Sequence, residues 1–229
     1  MKSKSIDPSD EPSCPIGKVV TRWVRRKDAR PGEILEAALD LFVAKGFSAT
    51  KMEDIARAAG VTAGTLYRYF GNKEDLLKAV IHESFTTAFN EAEQLLSGFE
   101  GTGAELFETV IRMWWQLHGE TRASGIPKLI IAEAANFPEL ARFHSEEVVA
   151  RGETFVARAI EYGVARGEFR PVDTQVYVKV VTAPIVMAMV WKHSEGCNTG
   201  DWDVNRYLDA VIENLILGLA LPARDSSAR

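Results

Sequence analysis

The chain has 229 residues, 46% of them hydrophobic, which is enough apolar material for a substantial packed core and excludes a chain that is disordered throughout. The formal net charge of −5 argues against a protein coated over its whole surface in nucleic acid. Two cysteines, Cys14 and Cys197, are too few and too far apart for a disulfide framework or a zinc site, so we expect no bound metal or cofactor.

Residues 1–28 combine Ser, Asp, Pro and charge without periodicity, which predicts a flexible extension, and they contain no apolar core of a secretory signal. Residues 1–80 hold 14 Lys/Arg against 11 Asp/Glu, whereas residues 81–229 hold 13 against 21. The basic excess is densest around Arg25, Arg26 and Arg30. This stretch suits a phosphate-binding arm, because neutralising phosphates releases condensed counterions, and a solvated tail is the open alternative.

After Pro31 the apolar spacing is helical and no strand-like alternation appears, which predicts an all-α fold of about nine helices. The first helix covers 31–45 and ends at Gly46. A short second helix follows, with Thr50 and Glu53 at capping-box spacing and Gly60 at its end.

Thr62 then provides an N-cap for a third short helix over 63–69. On a helical wheel of about 100° per residue, Leu66 and Phe70 point inward, whereas Gly64 and Arg68 point away. Two short helices joined by a glycine turn, the second with polar groups outward, predict a helix-turn-helix that can lie in a DNA major groove. A long fourth helix starts at Lys73 and reaches about residues 97–98.

The stretch from Ile34 to Leu77 contains ATKMEDIARAAGVTAGTLYRYFGNKEDLL and resembles the DNA-binding domain of the TetR family of transcriptional regulators. The resemblance implies that Thr65, Tyr69 and Lys73 contact phosphates, that Ala63, Gly64 and Tyr67 lie against base edges, and that Thr50 sets the second helix on the DNA backbone. Arg68 is a further candidate DNA contact. The alternatives are that both tyrosines pack, that Arg68 is a solvated charge and that Lys73 only begins a helix.

Further helices are predicted near 103–121, 126–135, 137–167, 173–195 and 202–220. The fifth is apolar around most of its circumference, so it is central and can line a cavity, although such aromatics are more often plain core. TetR-like regulators keep a variable helical effector domain with a cavity, and LIIAEAANFPELARFHSE is similar to that of an AcrR- and AefR-related subgroup. The predicted effector-binding residues are Phe107, Met113, Trp114, Leu117, His118, Ile130, Glu133, Phe137, Met187 and Trp191.

The last two helices carry wide apolar faces, and the resemblance implies that they form a four-helix dimer interface. The predicted interface residues are Val176, Val180, Ala183, Leu208, Val211, Ile212, Leu215, Ile216 and Leu219. The alternative is that they belong to the intramolecular core. The longest apolar run, Val180 to Trp191, is shorter than the roughly 20 residues that span a bilayer, so we expect a cytoplasmic protein with no membrane partner.

The predicted division is a flexible basic extension at 1–28, a DNA-binding domain at 29–75, an effector-binding and dimerisation domain at 76–221 and a flexible tail at 222–229. The expected function is a homodimeric repressor that binds a palindromic double-stranded DNA operator and is released by a small hydrophobic or aromatic effector, with the fourth helix as the lever. An enzyme and a helical interaction module without DNA binding are the alternatives. The four histidines are scattered and no nucleophile or metal motif accompanies them, so no catalytic residue is predicted.

Overall fold

A computed structural model describes residues 30–194, Gly196 and residues 202–221. This part of the chain folds into nine helices and contains no strand, only an isolated antiparallel bridge between Phe169 and Ala220, so the all-α prediction is confirmed. The arm arginines Arg25 and Arg26, both cysteines and the tail at 222–229 lie outside the described residues.

The first four helices are α1 (Arg30–Lys45), α2 (Met52–Ala58), α3 (Ala63–Tyr69) and α4 (Lys73–Ser97). Helix α5 covers Gly103–Trp114 and continues into a π-helical turn at Trp115–Gly119, and a 3₁₀ turn at Arg122–Gly125 precedes α6 (Ile126–Glu133). Helix α7 consists of Pro138–His144, a π-helical turn at Ser145–Val149 and Ala150–Ala165. The last helices are α8 (Thr174–Lys192) and α9 (Val204–Leu219).

Local sequence signals account for most of these boundaries. Gly46 and Gly60 have φ of +86° and +65°, a conformation that glycine adopts without strain, and they end α1 and the α2 turn as predicted. The Thr62 hydroxyl accepts a hydrogen bond from the Thr65 N–H, so the predicted cap of α3 is confirmed. A capping box between Thr102 and Glu105 starts α5, a Thr-x-x-Glu signal that the sequence reading missed.

The capping box predicted at Thr50 and Glu53 is wrong. The N-cap of α2 is Lys51, and its side chain makes no capping bond. The Thr50 hydroxyl instead donates to the carbonyls of Leu41 (3.2 Å) and Gly46 (2.7 Å), at the C-terminal end of α1.

One continuous core joins the two ends of the molecule, because α4 runs through both. In the N-terminal part Ile34, Phe42, Ile55 and Leu66 are fully buried, and α4 adds Leu76 and Leu77 beside them before it continues into the larger helical bundle. Helix α5 is central in that bundle, as its all-round apolar pattern predicts: Leu106, Phe107, Val110 and Ile111 are all buried.

Helix α8 is the one helix of the described residues that is long and apolar enough to span a membrane by length and composition alone. Its inner face belongs to the protein core, where Val178, Val181, Ile185, Ala188 and Met189 are buried. Packing therefore explains part of the apolar character of this helix.

Candidate DNA-binding face and effector cavity

The outer face of α3 presents the predicted DNA-binding side chains. Leu66 is fully buried and anchors the helix, whereas Tyr67 and Tyr69 are 46% and 43% exposed. Gly64 and Arg68 are exposed as well, and Ala63 and Thr65 are half-buried at the start of the helix. The helical wheel derived from Leu66 and Phe70 therefore gave the correct orientation of α3.

Thr50 and Lys73, two of the predicted contacts with the DNA backbone, do not project freely into solvent. The side chain of Thr50 is only 1% exposed and is turned toward α1, so its assignment as a DNA-contacting side chain is wrong. The ammonium of Lys73 donates to the carbonyls of Phe47 (2.7 Å) and Thr50 (3.0 Å) and lies 4.4 Å from the centre of the Phe47 ring. Lys73 holds the loop between α1 and α2, which explains a lysine at a helix N-terminus, where the helix dipole disfavours it.

The same loop is held from the other side by α6. The N–H and hydroxyl of Ser48 donate to the two carboxylate oxygens of Glu133, at 2.9 and 2.8 Å. Phe47 packs edge-on against Phe137, with 4.8 Å between ring centres. Glu133 and Phe137 were predicted as effector contacts and neither lines the cavity, so those two assignments are wrong; both residues instead join the bundle to the loop.

The charge of Glu133 is maintained by these contacts. Burial alone would raise its pKa, but the hydrogen bonds from Ser48 and Asn136 and the positive charge of Lys73 lower the pKa below the ordinary value of a glutamate. The carboxylate is therefore ionised at neutral pH and accepts both Ser48 hydrogen bonds. We call the set Phe47, Ser48, Lys73, Glu133 and Phe137 the loop clamp.

A second connection runs from the 3₁₀ turn to α1. Arg122 forms an ion pair with Asp40 at 2.6 Å, and Gly125 packs so tightly against Val43 that a Cβ atom at this glycine would lie 2.5 Å from a Val43 methyl carbon. Both contacts attach α1 to the segment that leads directly into α6. The helix-turn-helix thus contacts the α6 region at the loop clamp and at α1.

The larger bundle encloses a cavity of about 550 Å³, a volume typical of small-molecule sites. Its wall comes from α4, α5, α6, α7 and α8 and is almost entirely apolar. Four of the predicted effector residues line it: Met113, Trp114, Ile130 and Met187. Exposed residues such as Ile131 and Ala183 also belong to the wall, so the cavity reaches the surface between α6 and α8.

Four other predicted effector residues, besides Glu133 and Phe137, lie outside the cavity wall. Phe107 is fully buried against Phe169 in the core, and Trp191 packs edge-on against Trp202 and Tyr207. Leu117 is half-buried and does not reach the wall. His118 lies behind the wall, against Phe85 and Trp114. These four assignments are wrong because helical periodicity places a side chain on a face but does not say which neighbour fills the space opposite.

Several wall residues were missed, among them residues of α4 and α7. Phe85 projects from α4, and His144, Val148 and Phe155 project from α7. Phe85 follows Leu77 and Ile81 at helical spacing in α4, and this apolar spacing is the sequence signal that could have indicated an inward-facing side chain. The α7 residues carried none, since their relation to α5 is set by tertiary packing.

Two imidazoles lie close to Phe85, a residue of the cavity wall. The ring of His118 is 4.3 Å from that of Phe85, and the ring of His144 is 6.4 Å away on the cavity wall. Neither nitrogen of His118 and not the Nε2 of His144 has a hydrogen-bond partner in the described part of the chain. Burial lowers the pKa of both histidines to about 4, so both are neutral at physiological pH.

Helix α8 carries an exposed apolar stripe opposite its buried face, formed by Val176, Val180, Ala183 and Met187. On α9, Leu217 is exposed and Val211, Leu215 and Ile216 are half-buried. The remaining predicted interface residues, Leu208, Ile212 and Leu219, are 0–3% exposed within the single chain. Their assignment to an intersubunit contact is therefore wrong, because they already pack in the intramolecular core.

Two family models match the chain. Residues 34–80 match the model of bacterial regulatory proteins of the tetR family, and residues 101–211 match a tetracyclin repressor-like C-terminal domain. Among curated proteins, the HTH-type transcriptional repressor KstR2 of Rhodococcus jostii is 25% identical over 82% of this chain and 92% of its own length. The uncharacterized HTH-type transcriptional regulator YhgD of Bacillus subtilis is 30% identical over 62% of this chain and 73% of its own.

Solved structures show the same architecture. The transcriptional regulator FadR from Bacillus subtilis, in complex with stearoyl-CoA, aligns with a TM-score of 0.70 and 22% identity over 82% of this chain and 98% of FadR. A putative tetR-family regulator from Mesorhizobium loti aligns with a TM-score of 0.67 and 24% identity over 86% of this chain and 99% of its own. The family models and the curated relatives describe transcriptional regulators and not enzymes, which excludes the enzyme alternative.

Proposed function

Because this chain belongs to the TetR family of transcriptional regulators, we propose that it is a repressor that binds a palindromic operator as a homodimer in the cytoplasm and is released by a small apolar effector. The observation that carries the proposal is the physical connection between the helix-turn-helix and the cavity. Ile130 and Ile131 of helix α6 line the cavity. Glu133, at the end of the same helix, accepts hydrogen bonds from Ser48 in the loop between α1 and α2.

The proposed DNA-binding surface is the outer face of α3. Exposed Gly64, Tyr67 and Arg68 supply base contacts, and Thr65 and Tyr69 supply phosphate contacts, with Ala63 allowing close approach of the backbone. Arg30 begins α1, and the arm arginines before it remain proposed phosphate contacts. We retain the division into a DNA-binding domain at 29–75 and an effector domain at 76–221, although α4 crosses that boundary.

The proposed dimer interface combines the exposed stripe of α8 with the half-buried face of α9. Residues at i, i+4, i+7 and i+11 of α8 form a continuous apolar strip on one side of the helix, and such strips usually mark an interaction surface. Two copies packed through α8 and α9 form a four-helix interface with two-fold symmetry. This symmetry places two α3 helices on successive major grooves, roughly 34–36 Å apart.

Effector release follows from a difference in affinity between two conformations. A ligand that fits the cavity better when α6 is displaced moves Glu133 and, through Ser48, the loop that supports α2 and α3. The two recognition helices then no longer match the spacing of the operator half-sites. Helix α4 contributes as well, through Lys73, so the predicted lever becomes a pair of helices.

The test of DNA binding is a fluorescence-anisotropy titration against an operator selected from random DNA. We expect Tyr67→Ala to lose about 1 to 3 kcal/mol of specific binding free energy, and Arg68→Ala to lose a comparable amount. Arg142→Ala is the matched control, because Arg142 is an exposed arginine of α7 far along the chain from α3. Unchanged affinity in both α3 variants would exclude this face as the recognition surface.

The dimer is tested separately by sedimentation velocity. Val180→Glu places a charge in the middle of the α8 stripe and should yield a monomer that still folds, because this side chain is 50% exposed. Ala44→Glu, an exposed alanine on α1, is the control and should sediment as the wild type does. A dimeric Val180→Glu protein would exclude the α8 interface.

A further inference from the structure

The cavity is open on one side, between α6 and α8. Ile131 of α6 belongs to the wall and is nevertheless 63% exposed, and the α8 wall residues Lys179, Ala183 and Met187 are exposed as well. The α8 edge of this opening runs from Lys179 to Met187, which is about 12 Å at the rise of an α-helix. We call these four residues the cavity mouth. A ligand held by the single chain therefore leaves apolar surface in contact with water at the mouth.

The mouth is continuous with the apolar stripe of α8. Ala183 and Met187 belong to both, because they line the cavity and also extend the strip that begins with Val176 and Val180. Val176 and Val180 are 56% and 50% exposed and are not part of the cavity wall. A partner that packs along the whole stripe must therefore contact two of the four mouth residues.

The chemistry of the stripe suits a second copy of the same chain. At a two-fold axis a helix meets its own copy, so equal residues face each other and a charge would face a like charge. The four stripe residues carry no charge, and the two cations of α8, Lys179 and Lys192, lie off the stripe. An uncharged apolar strip can pack against itself without leaving a charge unpaired.

We propose that the partner subunit closes the cavity mouth, so that the effector site is complete only in the dimer. The inference rests on the proposed function, because it takes the α8 stripe as the dimer interface. It adds that this interface is part of the ligand site: the partner removes from water the ligand surface that the single chain leaves exposed beside Ile131 and Met187. Ligand binding and dimerisation therefore strengthen each other, since coupling between two binding events is reciprocal.

The first test measures how tightly the full-length protein binds N-phenyl-1-naphthylamine, an uncharged apolar fluorophore. Val180→Glu separates the subunits without altering the wall, because Val180 lies on the stripe but outside the wall. We expect this variant to bind the probe at least about tenfold more weakly than the wild type, because its cavity mouth stays open to water. Val176→Glu should behave in the same way, and Ala44→Glu, at an exposed position of α1, should bind as the wild type does.

A wall variant tests whether the probe lies in the cavity. Met113 is a half-buried wall residue of α5, so Met113→Trp places a larger side chain in the cavity and leaves the α8 stripe intact. This variant should sediment as a dimer and lose most of its affinity for the probe. If the folded Met113→Trp dimer binds the probe as tightly as the wild type, the dimer holds the probe outside the cavity and the inference is overturned.

Sedimentation velocity and circular dichroism of the same samples separate this inference from the proposed function. A folded, monomeric Val180→Glu protein that binds the probe as tightly as the wild type would overturn the closure of the mouth and leave the α8 interface standing. Dimeric Val180→Glu and Val176→Glu proteins would exclude that interface, and the inference with it. A wild-type protein that does not bind the probe would overturn the inference and leave DNA recognition by α3 standing.

The reciprocal effect is measured on the dimer itself. Val180→Ala shortens one side chain of the stripe, so that the dimer dissociates within the range of a dilution series. Saturating N-phenyl-1-naphthylamine should lower its dimer dissociation constant about a hundredfold, which is about tenfold for each of the two cavities in a dimer. A dissociation constant that the probe leaves unchanged would contradict the proposal.

Discussion

The outer face of α3 and the wall of the cavity are built in opposite ways. The face is made by consecutive residues of one seven-residue helix, with Leu66 inward and Tyr67, Arg68 and Tyr69 outward. The wall takes side chains from five helices that lie up to about a hundred residues apart in sequence. A surface that one helix defines can be derived from spacing alone, whereas a cavity depends on how several helices pack.

The loop clamp lies between these two regions and belongs to neither. Lys73 and Glu133 were each assigned to one of the regions, and the structure uses both to hold the same loop. A polar side chain that a sequence motif assigns to a binding site can therefore instead connect two parts of a protein. Substitutions in the loop clamp and beside the cavity can show whether the two regions are energetically independent and whether the loop clamp connects them.

The largest effect is expected from Lys73→Met. Removing the ammonium takes a charged donor away from the carbonyls of Phe47 and Thr50, and hydrogen bonds to a charged group contribute about 1.5 to 3 kcal/mol. We therefore expect a loss of about 2 to 3 kcal/mol in the free energy of unfolding, measured by urea denaturation at pH 7.5. Lys51→Met, which removes an exposed lysine from the same loop, should leave that free energy unchanged.

The opposite result would assign Lys73 to the DNA-binding surface. If Lys73→Met unfolds like the wild type and lowers the salt dependence of DNA binding by about one phosphate contact, the lysine is a phosphate ligand, as its position in the motif implies. The two roles thus give different results in two independent measurements.

The next largest effect is a pH dependence of the free energy of unfolding, which we expect from His118 behind the cavity wall. The pKa of His118 is lowered to about 4 by burial, whereas the unfolded chain has the ordinary value of 6.5. As the pH falls below 6.5, His118 becomes protonated in the unfolded state, whereas in the folded state it becomes protonated only near pH 4. The free energy of unfolding therefore decreases between pH 6.5 and pH 4. At pH 5 the loss is about 2 kcal/mol for this histidine.

Urea denaturation at pH 7.5 and pH 5 of wild type and His118→Phe measures this loss. The variant should lose about 2 kcal/mol less than the wild type between the two pH values, while the exposed-site variant His82→Phe should behave as the wild type does. An identical pH dependence in all three proteins would mean that the His118 ring is accessible to water in the folded state.

The same contrast explains what the sequence could and could not predict. Helix boundaries, the Thr62 cap and the orientation of α3 follow from local rules, in which a glycine, a hydroxyl or an apolar spacing acts within one turn. Met113 and Trp114 lie in the cavity wall, as predicted, because α5 is central and most of its faces contact either other helices or the cavity. Phe107, on the same helix, meets Phe169 instead, and no periodicity distinguishes the two cases.

Thr50 shows the limit of local rules even within the motif. Its spacing to Glu53 fits a capping box, yet the carbonyls of Leu41 and Gly46 compete for the same hydroxyl and bind it. Leu208, Ile212 and Leu219 show a related limit, since an apolar stripe on a terminal helix suits an intersubunit contact and an intramolecular core equally well. Only the packing of α9 against the rest of the chain decides between them.

The smallest expected effect distinguishes α6 from α4 as the link between the cavity and the DNA-binding face. Glu133→Gln keeps the shape of the side chain but removes the charge that accepts two Ser48 hydrogen bonds, and should cost about 1 kcal/mol of unfolding free energy at pH 7.5. Because the pKa of Glu133 is lowered in the folded state, this difference should shrink as the pH falls below the ordinary glutamate value. Glu139→Gln, at an exposed surface pair, is the control.

A double-mutant cycle of Ser48→Ala and Glu133→Gln then isolates the contact itself. We expect a coupling energy of about 0.5 to 1 kcal/mol, because the two side chains share a hydrogen bond at 2.8 Å and the backbone bond persists when Ser48 is replaced. Additive effects would mean that α6 holds the loop without energetic consequence. The cavity and the DNA-binding face would then be connected through α4 and Lys73 alone, which agrees with the prediction from the sequence that α4 is the lever.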